Sequence, residues 1–238
     1  MAIEGPGGAG KSTVTGAVAA LLWAQGVPVV ATREPTDTPL GEIARHGTDT
    51  YRGMAMACLI AADRYQHSEE IRPALDRGEV VVCDRYIASS LALQCMDGVE
   101  REFVWTLNEH VIMPDLVVMV SGDPEVIAER LAGRGAHSRY ERTEGSSRIE
   151  CAFFADAGRF LRGKGMRVLD VDASHMGAEQ VARTVAAAIT RLMKDHENDD
   201  AGRDHVQPQQ PRPGTRRETA GVPGRPAGAG PRSDGDGE

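Results

Sequence analysis

The chain has 238 residues, 41% of them hydrophobic and 26% charged, and a formal net charge of −8 at pH 7. This length and composition are typical of a globular protein with one α/β domain and room for a tail. The negative charge argues against binding to a nucleic-acid backbone, and the absence of any run of 18 apolar residues argues against a membrane-spanning helix.

Strands and helices are predicted to alternate along the chain. Short apolar runs predict the strands, and apolar positions at helical spacing predict the helices. The predicted strands are 2–4, 28–32, 79–83, 116–120 and 166–171. The predicted helices are 12–24, 55–66, 68–76, 102–111, 124–132 and 177–193. Five strands alternating with helices predict a doubly wound α/β fold with a parallel sheet.

The end of the chain differs in composition from the rest. Residues 198–238 contain 6 Pro, 8 Gly and no aromatic residue. Such a stretch cannot bury enough apolar surface to offset the entropy lost on ordering. We therefore predict one domain over 1–195 and a disordered tail over 196–238. A tail that binds a partner is the alternative.

The cysteines and the N-terminus bear on location. No pair among Cys58, Cys83, Cys95 and Cys151 has the CxxC spacing of a zinc site. We therefore expect reduced thiols in or near the core of a cytoplasmic protein. The N-terminus lacks the basic and apolar regions of a secretory signal, so none is expected.

Residues 5–12 read GPGGAGKS and fit the phosphate-binding pattern GxxxxGK[ST]. The motif follows a predicted strand and opens a predicted helix, where backbone N–H groups and the helix N-terminus can cradle phosphate. The residues predicted to hold the ATP phosphates are Gly5, Gly7, Gly8, Ala9, Gly10, Lys11, Ser12 and Thr13. Lys11 is the expected cation for the β- and γ-phosphates, and the Ser12 hydroxyl is an expected Mg²⁺ ligand.

Arginines recur where the predicted strands end. Of the 27 basic residues, 24 are Arg. Arg33 and Arg85 follow the second and third predicted strands, at the sheet edge where ligands bind in open α/β folds. A loop between two predicted helices carries Arg134, Arg139, Arg142 and Arg148. Because the guanidinium group grips phosphate with two parallel hydrogen bonds, this pattern favours phosphoryl transfer.

Several motifs occur together over residues 2–192. They are IEG, GAGKST, TREP, TPLGE, AADRYQH, VVVCDRYIASSLALQ, PDLVVMV, DPE, ERL, RYE at 139–141 and VDAS at 171–174. Together they resemble the thymidylate kinase family of nucleoside monophosphate kinases. The resemblance implies a P-loop NTPase-type doubly wound five-stranded parallel sheet with a lid over about 134–148. It also implies ATP-dependent, Mg²⁺-dependent phosphorylation of dTMP to dTDP. Members of the family are often homodimers, so a homodimer is a further expectation left open, with helix 102–111 as a candidate contact surface.

The resemblance also implies roles for individual residues. Asp84 would help to order Mg²⁺ through water. The acceptor nucleotide would be bound by Arg33, Ile60, Arg64, Arg85 and Gln94. Within that set, Arg33 and Arg85 would clamp the phosphate, and Arg64 would donate hydrogen bonds to the base. The alternative for Arg64 is only a surface ion pair with Asp63.

The family splits by whether the phosphate loop or the lid supplies the arginine that stabilises the transition state. The loop position in question is Gly8, so we expect the lid to supply it. Arg139 and Arg134 are the candidates, and Lys11 and Arg85 complete the expected catalytic cations. Such an arginine is worth roughly 10³–10⁵ in rate. The alternative for the lid arginines is that they are solvated loop charges.

Three positions depart from the family in the acceptor pocket. Gly7 stands where an acidic residue usually contacts the sugar hydroxyl, and Ile60 stands where a Phe usually stacks on the base. The turn after Pro35 reads TDTP, and Asp37 is our candidate for the missing carboxylate. These departures leave two alternatives open: a kinase for another or a modified nucleoside monophosphate, and a catalytically weak nucleotide-binding paralogue.

Overall fold

Five strands form one parallel sheet in the computed structural model, which describes residues 1–143 and 145–203. The strands are β1 (Ala2–Glu4), β2 (Val29–Arg33), β3 (Val80–Asp84), β4 (Val117–Ser121) and β5 (Val168–Asp172). They lie in the order β2-β3-β1-β4-β5, and every neighbouring pair is parallel. The predicted doubly wound five-stranded sheet is confirmed.

Helices cover both faces of the sheet. In the described residues they are α1 (Lys11–Ala24), α2 (Pro39–His46), α3 (Gly53–Asp76), α4 (Ile87–Met96), α5 (Arg101–Leu107), α6 (Pro124–Arg134), α7 (Arg139–Arg142), α8 (Ser146–Gly163) and α9 (Ala178–Arg203). A 3₁₀ helix, Gly47–Asp49, stands between α2 and α3. None of the helices described is both long and apolar enough to cross a membrane.

Two apolar clusters hold these layers together. Alternate residues of β4 face opposite sides, as expected for a strand with side chains at period two. Val118 and Val120 pack with the apolar faces of α1 and α9. Val117 and Met119 pack with α4, α5 and α8. The sheet is therefore buried on both faces, which is why its strands read as continuous apolar runs.

The strands β2 to β5 each end one residue later than predicted. Parallel pairing continues to the last position, where Arg33 pairs with Asp84 across β2 and β3, and Ser121 pairs with Asp172 across β4 and β5. Local sequence does not carry this information, because cross-strand hydrogen bonds extend the ladder past the apolar run. Arg33 and Asp84 are thus held by the sheet itself.

Helices α2, α4, α7 and α8 were not predicted. Most of α4 is buried, including Ser89, Ser90 and Gln94, so it has no polar face to give a helical period. The two helices predicted at 55–66 and 68–76 are one helix, α3, with Pro73 inside it. Helix α5 ends at Leu107, earlier than the predicted end at 111, and Asn108 caps it by donating its side-chain N–H to Val104 O at 2.8 Å.

One compact unit spans Met1–Glu197. Helix α9 continues to Arg203, so the predicted domain boundary at 195 lies inside this helix. Residues 204–238 of the predicted tail lie outside the described residues. Cys83 is buried and Cys95 and Cys151 are half-buried, but Cys58 is exposed, so the prediction of core thiols is wrong for Cys58.

Candidate active site

The phosphate loop, residues 5–13, connects β1 to α1. Gly5 has a φ of +145°, and a Cβ there would lie 2.1 Å from Val120 O, so only glycine fits. Gly10 stands before α1 in the left-handed conformation and carries no side chain that would cap the helix. The first N–H groups of α1 are therefore left to a ligand, which is the arrangement that binds phosphate.

Lys11 is buried in this loop, with 5% of its surface exposed. Its Nζ donates a hydrogen bond to Pro6 O at 2.7 Å. Burial, and then the nearby Arg85 cation, lower the pKa of Lys11 to about 7, although the Asp84 and Glu150 carboxylates act in the opposite direction. The ammonium is thus only partly charged near neutral pH until an anion enters the loop.

Ser12 and Asp84 join the loop to the end of β3. Ser12 Oγ donates to Asp84 Oδ2 at 2.5 Å. Asp84 Oδ1 is buried and has no hydrogen-bond partner within the described residues. Both side chains line a cavity of about 540 Å³ that also reaches Arg33. Hydroxyl and carboxylate oxygens are hard donors, so this pair fits a divalent metal such as Mg²⁺.

Arg85 follows Asp84 in an unusual backbone conformation. Its φ of 69° is rare for a non-glycine residue and costs energy. The backbone is held there because Arg85 N donates to Ile3 O at 2.9 Å. Below it, the buried Glu4 carboxylate accepts hydrogen bonds from the first N–H groups of α4. Burial raises the pKa of Glu4 despite these bonds and one from the Ser89 hydroxyl.

Arg33 and Asp37 form an exposed pair beside this edge. Arg33 Nη2 donates to Asp37 Oδ1 at 2.5 Å, and Arg45 donates to the same oxygen at 3.2 Å. The bond from Arg33 lowers the pKa of Asp37. Asp37 is therefore the partner of the predicted phosphate clamp, Arg33, and its assignment to the sugar hydroxyl stays a prediction.

Arg64, which is predicted to bind the acceptor, is buried in the core. Only 1% of its surface is exposed, so the surface ion pair with Asp63 is wrong. The guanidinium makes four hydrogen bonds within the described residues, to Glu34, Ser90, Asn108 and the Tyr86 carbonyl. Arginine has five N–H donors, so one remains for a ligand. The predicted contact with a base stays a prediction.

Ile60 and Gln94 lie on α3 and α4. Ile60 is half-buried, one helical turn before Arg64. Gln94 is buried, and its Oε1 has no partner within the described residues. A buried carbonyl oxygen without a donor costs free energy, so it points to a ligand N–H. Gln94 therefore remains a candidate for base recognition.

Each of the four lid arginines has an acidic partner, although the side chains of Arg142 and Arg148 are largely exposed. The pairs are Arg134–Glu141, Arg139–Asp97, Arg142–Asp49 and Arg148–Glu125. Arg139 binds Asp97 with two nitrogens, and Nε of Arg139 donates to Thr48 O. Arg139 is thus held at the end of α4 in this conformation.

Arg134 is connected to the phosphate loop through one carboxylate. Its Nη2 donates to both oxygens of Glu141, at 2.9 and 2.8 Å. A Cβ on Gly7 would lie 2.2 Å from Glu141 Oε1, so the lid carboxylate fills the space of a side chain at that position. Glu141 lies within the RYE motif, and no role was predicted for it.

Glu150 is a second carboxylate at the loop that was given no role. Gly7 N donates to Glu150 Oε2 at 2.8 Å, and Glu150 is 2% exposed. Its Oε1 is buried without a partner within the described residues. The contact spans 143 positions in the chain, so no local pattern could have shown it.

Comparison with known proteins identifies the family. The family model described as thymidylate kinase matches residues 3–185. A probable thymidylate kinase of Pyrobaculum aerophilum is 35% identical over 200 residues, which cover 82% of this chain and 97% of that protein. Thymidylate kinases of Bifidobacterium longum subsp. infantis and Geobacillus thermodenitrificans are 36% and 35% identical, over 82% and 81% of this chain and 88% and 90% of theirs. The chain therefore belongs to the thymidylate kinase family.

Proposed function

We propose that the chain transfers the γ-phosphoryl group of ATP to dTMP, giving dTDP and ADP, at the C-terminal edge of the sheet. The observation that carries this proposal is the Ser12–Asp84 contact, which joins the phosphate loop to the strand end bearing Arg85. A donor site and cations for an acceptor phosphate thus lie at one edge, as phosphoryl transfer requires. The curated relatives, all named thymidylate kinases, do not favour the two alternatives.

The loop holds the donor. Backbone N–H groups of residues 8–13 would surround the β-phosphate, and Lys11 would leave Pro6 O to bind the β- and γ-oxygens. Mg²⁺ would be held by Ser12 directly and by Asp84 through water. When bound, it neutralises charge on the β- and γ-phosphates. The orphaned Asp84 Oδ1 supports this assignment, since a metal-bound water would satisfy it.

The acceptor would enter between α3 and α4. Its phosphate would displace Asp37 from Arg33 and would bind Arg85 on its other side. A phosphate dianion competes well here because the Arg33–Asp37 pair is exposed, with 53% and 69% of the two side chains accessible, and exposed pairs are weak. The free acceptor oxygen of Gln94 and the remaining N–H of Arg64 suit a base that offers both a donor and an acceptor.

The lid would supply the arginine that stabilises charge on the phosphoryl group in transfer. Arg134 is our first choice, because its partner Glu141 lies against Gly7 of the loop. Arg139 stays a candidate from the sequence, but its nitrogens are bound to Asp97 and Thr48. A small shift would move Arg134 from Glu141 to the ATP phosphates.

Binding of ATP should take up a proton at pH 8. Lys11 with a pKa of about 7 is mostly neutral at that pH, and the triphosphate restores its charge. Calorimetry in two buffers of different ionisation enthalpy should show uptake of close to one proton per ATP at pH 8, and less at pH 6. The Lys11→Met variant should show little uptake at either pH. Equal uptake by the variant and the wild type would remove Lys11 as the source.

Turnover with a panel of nucleoside monophosphates tests the proposed function. We expect the fastest ATP-dependent turnover with dTMP, measured as ADP release, over dUMP, dCMP, dGMP and dAMP. Faster turnover with another acceptor would assign a different substrate, and no turnover with any would support a nucleotide-binding paralogue.

An Ile60→Phe variant tests the acceptor pocket. An aromatic ring under a base is worth roughly 1–3 kcal/mol, so this change should raise kcat/KM for dTMP by about tenfold. Its effect on the KM for ATP should be small. An unchanged or lower kcat/KM for dTMP would show that residue 60 does not lie under the base.

Two further expectations stay predictions from the sequence. One is the cytoplasmic location. The other is the homodimer. Exposed apolar side chains that could contribute to its interface are Phe103 on α5 and Leu40 and Ile43 on α2. Light scattering on the purified chain measures the oligomeric state.

A further inference from the structure

One carboxylate, that of Asp97, accepts hydrogen bonds from two separate parts of the chain. Asp97 is the residue that follows the end of α4. It accepts from Arg139 Nη1 at 2.7 Å and from Nη2, and from the Tyr140 hydroxyl at 2.9 Å. It also accepts from Gly53 N, the first residue of α3, at 3.2 Å. The lid and the start of α3 thus meet at one carboxylate, where both donate to Oδ2.

All three side-chain nitrogens of Arg139 take part in this contact. Two nitrogens bind Asp97 and the third donates to Thr48 O, within the 3₁₀ helix. The guanidinium carbon also lies 4.2 Å from the centre of the Tyr140 ring, a favourable cation–π distance. Every nitrogen of the side chain therefore ties the lid to the acceptor side of the molecule.

The Arg139–Asp97 pair is more deeply buried than Arg142–Asp49, the other ion pair that joins the lid to the acceptor side. The Arg139 and Asp97 side chains are 17% and 8% exposed. In the Arg142–Asp49 pair the side chains are 52% and 60% exposed, so water and salt weaken it. Burial opposes ionisation of Asp97, but the hydrogen bonds from Arg139, Tyr140 and Gly53 prevail and lower its pKa. The Arg139–Asp97 contact is thus the stronger attachment of the lid.

Helix α4 connects this attachment to the catalytic edge. It begins at Ile87, directly after Asp84, Arg85 and Tyr86, and its first turn is held by the buried Glu4. It ends at Met96, next to Asp97. The ten-residue helix is almost wholly buried, so it cannot tilt without disturbing the core. The position of the lid is therefore set by the same helix that positions Arg85.

We propose that Asp97 is a positioning residue that latches the lid closed through Arg139, and that this latch keeps water from the phosphoryl group during transfer. The inference rests on the proposed function. Lids of this kind sequester the reacting groups and complete the site. Arg139 then acts through the lid rather than on the phosphates.

The Asp97→Asn variant tests the latch. Asparagine keeps the size of the side chain and removes the charge that holds the arginine fork. We expect kcat for dTMP phosphorylation to fall about tenfold or more, while ATP hydrolysis per phosphoryl group transferred rises about fivefold or more. The matched control, Asp49→Asn, breaks the exposed pair on the same lid and should stay within about twofold of the wild type in both quantities.

Two further measurements separate the latch from a fold defect. Arg139→Gln removes the other partner, and the Asp97→Asn/Arg139→Gln double variant should be no worse than either single variant, because the two changes remove one interaction. Backbone hydrogen exchange over 135–148 should be faster in each of these variants and unchanged over α4. Faster exchange throughout the domain would mean general loosening and would overturn the proposal.

The outcomes distinguish the latch from the proposed function. If Asp97→Asn leaves kcat, the hydrolysis ratio and lid exchange unchanged, the latch is wrong. The latch is also wrong if transfer and hydrolysis fall by the same factor. If the wild type transfers phosphate to no nucleoside monophosphate, the proposed function fails, and the exchange of residues 135–148 in the variants still decides whether Asp97 holds the lid.

Discussion

The Lys11→Met variant is expected to lose at least about 10³ in kcat. Lys11 is the only cation of the phosphate loop, and its Nζ already lies at the loop carbonyl of Pro6. In the transition state, charge grows on the oxygens between the β- and γ-phosphates, and a fixed cation in a water-excluded site stabilises it strongly. Methionine fills the same volume but supplies no charge and no hydrogen-bond donor.

The same variant should bind ATP more weakly but fold at least as well. Loss of a charge-assisted bond of about 1.5–3 kcal/mol raises the Kd for ATP by tenfold or more. The free energy of unfolding of the ATP-free protein should rise, because folding disfavours the charged form of a buried lysine whose pKa is lowered. The folded chain releases that proton near pH 7 and the unfolded chain near 10.5, so wild-type stability should rise with pH between these values.

The control for Lys11 is another lysine. Lys194→Met, on the exposed side of α9, removes the same charge far along the chain from the loop and should leave kcat within about twofold. Turnover and thermal unfolding at pH 7 and pH 9 are the measurements. A Lys11→Met protein with kcat within tenfold of the wild type would exclude Lys11 from catalysis, and equal pH slopes of stability in the two proteins would contradict its low pKa.

Short-range features of the site could be predicted from the sequence. The phosphate loop is a local motif, and the spacing of apolar residues in the flanking strand and helix can be recognised within a few positions. Asp84 and Arg85 follow a run of valines, so their place at the sheet edge could be inferred from the strand alone. Helix α4 escaped prediction because it has no polar face, since burial of Ser90 and Gln94 hides the helical period.

Long-range pairs account for most of what the sequence did not show. The partner of Arg139 is 42 positions away, and the partner of Gly7 is 143 positions away. A carboxylate gives no local sign of which arginine it binds, because ion pairs depend on where the fold brings the chain. The sequence therefore predicts that the lid carries arginines, and the fold decides which of them faces the loop.

Helix α3 likewise shows that the sequence does not reveal the partner of a charged residue. The AADR motif predicts an acceptor-binding role for Arg64 and leaves a surface ion pair with Asp63 as the alternative. In the fold both side chains are buried and point to different partners, Asp63 to Thr36 and Arg64 to Glu34. Adjacent residues on a helix do not face each other, so sequence neighbours are poor guides to ion pairs.

The Arg134→Ala variant is expected to lower kcat by about 10³ while the Kd for ATP changes less than threefold. Arg134 is the last residue of α6 and binds Glu141, whose carboxylate lies against Gly7. A shift of Arg134 from this carboxylate to the phosphates would therefore leave Arg134 at the phosphate loop. An interaction made only in the transition state affects kcat and leaves ground-state binding alone. Presteady-state phosphoryl transfer and calorimetric ATP titration measure the two quantities separately.

Arg139→Ala distinguishes the two lid arginines, because a latch and a transition-state cation fail differently. Loss of the latch should lower transfer and raise the share of ATP lost to water, whereas loss of the cation should slow transfer and hydrolysis together, since both pass through the same charged phosphoryl group. Arg142→Ala, which breaks the exposed pair with Asp49, is the matched lid control and should change kcat less than threefold. If Arg139→Ala slows transfer and hydrolysis equally and more than Arg134→Ala does, the transition-state role belongs to Arg139, and Arg134 serves only to hold Glu141 against the loop.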